Sequence, residues 1–90
     1  MTEKELIKLE FKRNDVTAEE SGDNAYHYYT YDLSKSNYQI ALITDSNDNI
    51  INDNWNVTFF ETSDILFNDY NDVKELIEIF NRSIKKNKNI

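Results

Sequence analysis

Residues 37–44 and 55–61 alternate their side chains with a period of two, and residues 73–84 change to the period of a helix. That change of period most narrows what the chain can fold into. Tyr38, Ile40 and Leu42 oppose Gln39, Ala41 and Ile43, and Trp55, Val57 and Phe59 oppose Asn56, Thr58 and Phe60. The stretch 26–33 is rich in aromatic residues, which suit a pleated surface. Val73, Leu76, Ile77, Phe80 and Ile84 then recur at i, i+3, i+4, i+7 and i+11, one face of a helix of roughly sixteen residues and about 24 Å. The expected class is α+β: an antiparallel sheet of four to five strands, a short N-terminal helix, and a C-terminal helix packed on one face.

The remaining elements are shorter. Thr2 followed by Glu5 fits a capping box ahead of Leu6, Ile7 and Leu9, which predicts a helix over 3–9. Residues 11–16 alternate as an edge strand would, and 17–24 reads as a polar loop turning at Ser21-Gly22-Asp23. The link 34–36 is short enough for a hairpin. Residues 45–54 form a long polar connection interrupted by Ile50-Ile51, and 65–67 reads as a last short strand. Asp69, Asn71 and Asp72 are candidate caps for the C-terminal helix, whose end carries Arg82, Lys85 and Lys86 in keeping with the macrodipole. One domain spans 1–90, with 87–90 a fraying tail.

Alternation also assigns faces. If Ile40, Leu42, Trp55, Val57 and Phe59 meet the helix, register adds Tyr29, Tyr31 and Leu33 to them. The other face then holds Tyr26, Tyr28, Ala41, Ile43, Thr58 and Phe60, which is not the polar surface that a one-sided antiparallel sheet usually presents. Either the N-terminal helix or the 45–54 connection folds over it, or it is a contact surface.

Charge is segregated along the chain. Twelve acidic residues and one basic residue, Lys35, lie between Asn14 and Val73, while the other cations fall before or after. The net charge is −7 over 90 residues, yet twelve aromatic side chains argue against disorder. There is no cysteine, so disulfides and thiolate metal sites are excluded; no apolar run suits a membrane span or a secretory leader. A soluble, intracellular protein is expected.

The chemical motifs tested fail. Asp45, Asn47 and Asn49 alternate like calcium ligands, but Ile50 stands where a glycine is required and Asn56 where the bidentate glutamate belongs. His27 is the only histidine and sits in an aromatic strand, and no orienting carboxylate can be assigned to it from spacing. Carboxylate pairs such as Glu19-Glu20 lie in loops rather than on cleft walls. No nucleotide-binding or nucleophile-elbow motif occurs. The expectation is no enzyme, no cofactor and no metal. Direct nucleic-acid binding is disfavoured too, because the tyrosine-rich strand lies inside the acidic segment and the basic C-terminus reads as a solubilised helix end.

Acidic side chains spread over strand edges and loops can imitate the phosphates of a nucleic acid. Glu19, Glu20, Asp23, Asp45, Asp48, Asp53, Asp64 and Asp69 are the candidates for engaging a basic groove, with Tyr26, Tyr28, Ile43 and Phe60 supplying apolar contact. The run Phe11-Lys12-Arg13-Asn14-Asp15-Val16, then Glu19-Glu20-Ser21-Gly22-Asp23, Tyr28-Tyr29, Trp55 and the closing Leu76-Ile77-Glu78-Ile79 resembles, over most of the chain, small acidic proteins encoded by bacteriophages and prophages of AT-rich hosts. That resemblance carries no catalytic residue. It implies residence in the host cytoplasm and a role like that of phage inhibitors of host nucleases and other defence proteins, anti-CRISPR proteins being one example. The alternative expectation is a self-associating phage assembly protein, a homodimer through the uncovered sheet face.

Overall fold

Pairing follows the alternation. The computed structural model describes residues 1–35 and 40–88, with side chains in the last helix only as far as Ser83. Tyr31 lies opposite Leu42, Leu42 opposite Phe59, and Thr44 opposite Val57. Five strands, β1 (Lys12–Val16), β2 (Tyr26–Asp32), β3 (Ala41–Thr44), β4 (Val57–Phe59) and β5 (Thr62–Phe67), form one antiparallel sheet in sequence order. Around it lie α1 (Glu3–Lys8), α2 (Ala18–Ser21), a 3-10 turn at Asn47–Asn49, and α3 (Tyr70–Lys88).

The hydrophobic core lies on one side of the sheet. Leu6 of α1, Phe11 just after it, and Val73 and Ile77 of α3 close on Tyr29, Tyr31, Leu33, Leu42, Trp55 and Val57. Leu6, Leu42, Val57 and Val73 are fully buried, each a contribution of about 1.5–3 kcal/mol relative to exposure. Both long-range helices therefore share the face that α3 was expected to cover, and α1 does not fold over the other side. Ile50 also packs against this core, whereas Ile51 is exposed.

Several expected boundaries shift. Ile40, expected against the helix beside Leu42, is 41% exposed. The β2–β3 ladder ends at Asp32 opposite Ala41, so the alternation no longer dictates a face at residue 40. Residues 37–39 of that expected strand lie outside the described residues, as does Ser36 of the expected hairpin link. The strand expected over 55–61 pairs only at Val57–Phe59, while the last strand is longer than expected and begins at Thr62. The expected loop 17–24 contains α2. Thr17 Oγ1 accepts from Glu20 N and Glu20 Oε1 accepts from Thr17 N, a second capping box closed by Gly22 in the left-handed region at φ 77°. A single exposed turn has no apolar face, so periodicity carries no trace of it.

Short β3 leaves the first half of β2 without a strand partner on that side. Side chains take over: Thr44 Oγ1 accepts from Tyr29 N at 3.0 Å, and Asn47 Oδ1 accepts from His27 N at 2.7 Å. The 3-10 turn is thereby tied to the sheet.

Helix α1 ends in a Schellman motif, with Phe11 N donating to Leu6 O and Glu10 N to Ile7 O. The left-handed position is filled by Glu10 at φ 69°, where glycine is favoured. Glu10→Gly is expected to raise stability by about 0.5–1 kcal/mol in urea denaturation. Leu6→Ala is expected to lower it by about 2–4 kcal/mol, and exposed Ile7→Ala to change it by less than about 0.5 kcal/mol. Equal costs at Leu6 and Ile7 would contradict the placement of α1.

Candidate functional site: the acidic end of the sheet

In a sheet whose strands pair in sequence order, alternate connections fall at the same end. The β1–β2 connection (17–25), the β3–β4 connection (45–56) and the β5–α3 junction (68–69) therefore share one end. Glu19, Glu20, Asp23, Asp45, Asp48, Asp53 and Asp69 all lie on these segments, and every one is exposed. Asp64 is the exception: it sits in β5, towards the opposite end. Lys35, the lone cation of the acidic segment, is also at the far end, its Nζ 4.3 Å from the centre of the Tyr31 ring. Among the described residues none of the eight candidate carboxylates is in an ion pair; Arg13 pairs with Asp15 at 2.9 Å, and His27 meets Glu3 at a hydrogen-bond distance of 2.7 Å.

Three of the candidates also build the fold. Glu20 closes the α2 capping box. Asp69 caps α3, its Oδ1 accepting from Asn71 N at 2.8 Å and Asp72 N at 3.2 Å. Asp53, in the left-handed region at φ 55° after Asn52 at 56°, accepts from Trp55 Nε1 at 2.8 Å and from Glu3 N at 3.0 Å. Two consecutive positive φ values suit Asn and Asp, and Asn54 N closes the turn onto Ile51 O. The Met1 ammonium donates nearby to Asn68 O at 2.8 Å and Trp55 O at 3.1 Å. Among the described residues the carboxylates of Glu19, Asp23 and Asp45 accept no hydrogen bond, so their charge is the simplest to remove without disturbing the fold.

The apolar candidates share the other face. Alternation about Tyr29, Leu42 and Val57 places Tyr26, Tyr28, Ile43 and Phe60 on the side away from both long-range helices. Tyr26, Tyr28 and Ile43 are half-buried and Phe60 is 64% exposed. They extend from the acidic end, at Tyr26, to the β4–β5 hairpin, at Phe60.

Sequence reasoning left His27 without a carboxylate, and α1 brings one. Glu3 Oε2 lies 2.7 Å from His27 Nε2 and accepts from Tyr29 Oη at 2.8 Å. His27 and Tyr29 stand two apart on β2 and so point to the same face, each within 6 Å of the Trp55 ring centre. Local sequence holds no signal for this contact, because Glu3 and His27 are brought together only by packing. The hydrogen bond from His27 holds the Glu3 carboxyl below its ordinary range, and the bond from Tyr29 adds to this against the opposing effect of burial. Burial, followed by the Glu3 hydrogen bond, pushes the Tyr29 hydroxyl upward. Arg13, raised chiefly by its bond to Asp15, lines a cleft of about 230 Å³ with Asp15, Thr17, Tyr26, His27 and Asn47. Chemically, the cluster locks α1 to β2. In the 45–49 segment, Asn47 is committed to His27 N, Asp48 accepts from Ser46 Oγ, and Asn49 donates to Ser46 Oγ. Among the described residues no three His, Asp or Glu side chains converge as metal ligands. No described helix is long and apolar enough to cross a membrane.

A carboxyl lowered in the folded state stabilises it above its unfolded value, and that stability is lost as pH falls through the folded value. Stability is therefore expected to fall on acidification below the ordinary glutamate range, with Glu3 contributing to the slope. Glu3→Gln should flatten this acid limb and cost about 1 kcal/mol at neutral pH, the modest size reflecting a partly solvated carboxylate. Urea melts at stepped pH check both; an unchanged acid limb would remove Glu3 from the account.

No protein-family model, curated protein or solved structure matches this chain.

Proposed function

We propose that this protein acts by binding a basic protein surface, and that it is a phage-type inhibitor occupying the nucleic-acid groove of a host nuclease or other defence protein. The observation that carries this reading is the gathering of exposed, unpaired carboxylates from three separate segments at one end of the sheet. Five strands are about 19 Å wide at 4.8 Å spacing. Seven carboxylates across that width, offset in part by the Met1 ammonium at the same end, give one net charge per about 3.2 Å, close to the spacing along a single DNA strand. Such a field speeds encounter with cations and makes the complex sensitive to salt. Charge alone sets rate more than affinity, so the adjoining Tyr26, Tyr28 and Ile43 supply apolar contact next to the acidic end.

Affinity capture from the native host is expected to retain basic nucleic-acid-binding proteins, released by about 0.5 M salt and displaced by duplex DNA. Neutralising Glu19, Asp23 and Asp45 together, as Gln, Asn and Asn, should slow association about tenfold with little change in dissociation. Glu10, Glu75 and Glu78, exposed and outside these segments, changed together to Gln serve as the control matched in charge. Partners that are not basic, or complexes indifferent to ionic strength, would sink the reading.

One observation favours self-association as a second reading: Phe60 and Leu66, 64% and 53% exposed, enlarge the apolar outer face. On that reading light scattering gives a dimer that persists in high salt and is broken by Phe60→Asp. A monomer under both conditions excludes it.

A further inference from the structure

The two edges of the sheet are not alike. Edge β1 carries Lys12, Arg13 and Asp15 within five residues, charges of the kind that discourage pairing with another chain. Edge β5 carries Asp64 alone, and its Ile65 and Leu66 are 49% and 53% exposed. Its ladder partner is β4, and no other described strand lies on its outer side. Between residues 61 and 72 there is neither lysine, arginine nor proline; the guards this edge has are Asp64 and the register shift in the β4–β5 ladder, where Thr58 lies opposite Leu66 but Phe59 opposite Thr62. Instead Glu61 precedes β5, Asp64 lies within it, and Asp69 and Asp72 follow it.

We propose that the β5 edge is a strand-addition site that takes an extended basic segment of a partner protein as a sixth strand. This deepens the reading above and rests on it, since the partner is basic on both counts. The six residues of β5 span about 20 Å, interrupted by a register shift that leaves Ser63, Asp64 and Ile65 without a partner residue on β4, and its outer side offers main-chain donors and acceptors to an incoming strand. Alternate side chains of that strand fall on opposite faces, so apolar ones can meet exposed Ile65 on one face while lysines or arginines reach Asp64 on the other. A second copy of this chain is a poorer occupant. Antiparallel pairing of two β5 strands brings two Asp64 carboxylates into one short ladder between molecules that each carry −7.

The test uses the intact protein and a capped eight-residue peptide alternating lysine and valine, compared with the same peptide N-methylated at every residue. N-methylation keeps the charge and removes the main-chain donors. The unmodified peptide is expected to shift the amide resonances of Thr62–Phe67 and slow their hydrogen exchange, and to bind about tenfold more tightly than the methylated one. Ile65→Lys, at an exposed position, should weaken it by about tenfold while leaving the rest of the spectrum unchanged. Equal binding of the two peptides, or shifts confined to the acidic end, overturns strand addition and leaves the acidic-surface reading standing. Failure of both peptides to bind at low salt overturns the two together. A homodimer with protected β5 amides replaces the basic partner with a second copy.

Discussion

Each strand of this protein pairs only with its neighbours in sequence, and the rest of the structure follows from that constraint. Successive connections must alternate between the two ends, so segments distant in sequence, 17–25, 45–56 and 68–69, arrive side by side. The first and last strands must be the edges. Among the described residues two helices exceed one turn and both lie on one face, so the other is left to its own side chains. Acidic end, open face and free edge are three consequences of one topology rather than three separate features.

Crowding exposed carboxylates at one end has an energetic cost, which the helices offset. Two unit charges about 10 Å apart in water repel by about 0.4 kcal/mol before salt roughly halves that or more. All three helices begin at this end: α1 beside Asp53, α2 with Glu19 and Glu20 in its first turn, and α3 with Asp69 as its cap and Asp72 in its first turn. A helix N-terminus favours a nearby anion by about 0.3–1 kcal/mol, an effect of the same size as the repulsion. Several of the carboxylates thus have a local reason to be where they are. Glu19, Asp23 and Asp45 have the least such reason in hydrogen-bonding terms, which is why their charge can be removed with the least effect on folding.

The period of the side chains made the sheet, its antiparallel order and α3 legible in the sequence, because burial on one side imposes alternation on strands and a stripe on a helix. The capping box at Thr2 and Glu5 marked the start of α1 for an equally local reason. The same signal at Thr17 and Glu20 was present but had no apolar stripe beside it to draw attention. What escaped was set by tertiary contact. The exposure of Ile40 depends on where the β2–β3 ladder stops, and the Glu3–His27–Tyr29 cluster depends on how α1 lies across β2. The gathering of the acidic segments could be inferred only once strand order was known, since charge segregation along a chain does not by itself place charges together in space.

The uncharged parts of the acidic segment bear on what its charge is for. A surface that served solubility alone would gain from scattering its carboxylates, since separation lowers their mutual repulsion while leaving net charge unchanged. Here they are concentrated at one end, and the lone cation of the segment is held against Tyr31 at the other. Tyr26 and Tyr28, whose ring centres are 6.4 Å apart, join that end to an apolar face. On the proposed reading the two surfaces divide the work, since charge governs the rate of encounter and apolar contact governs residence.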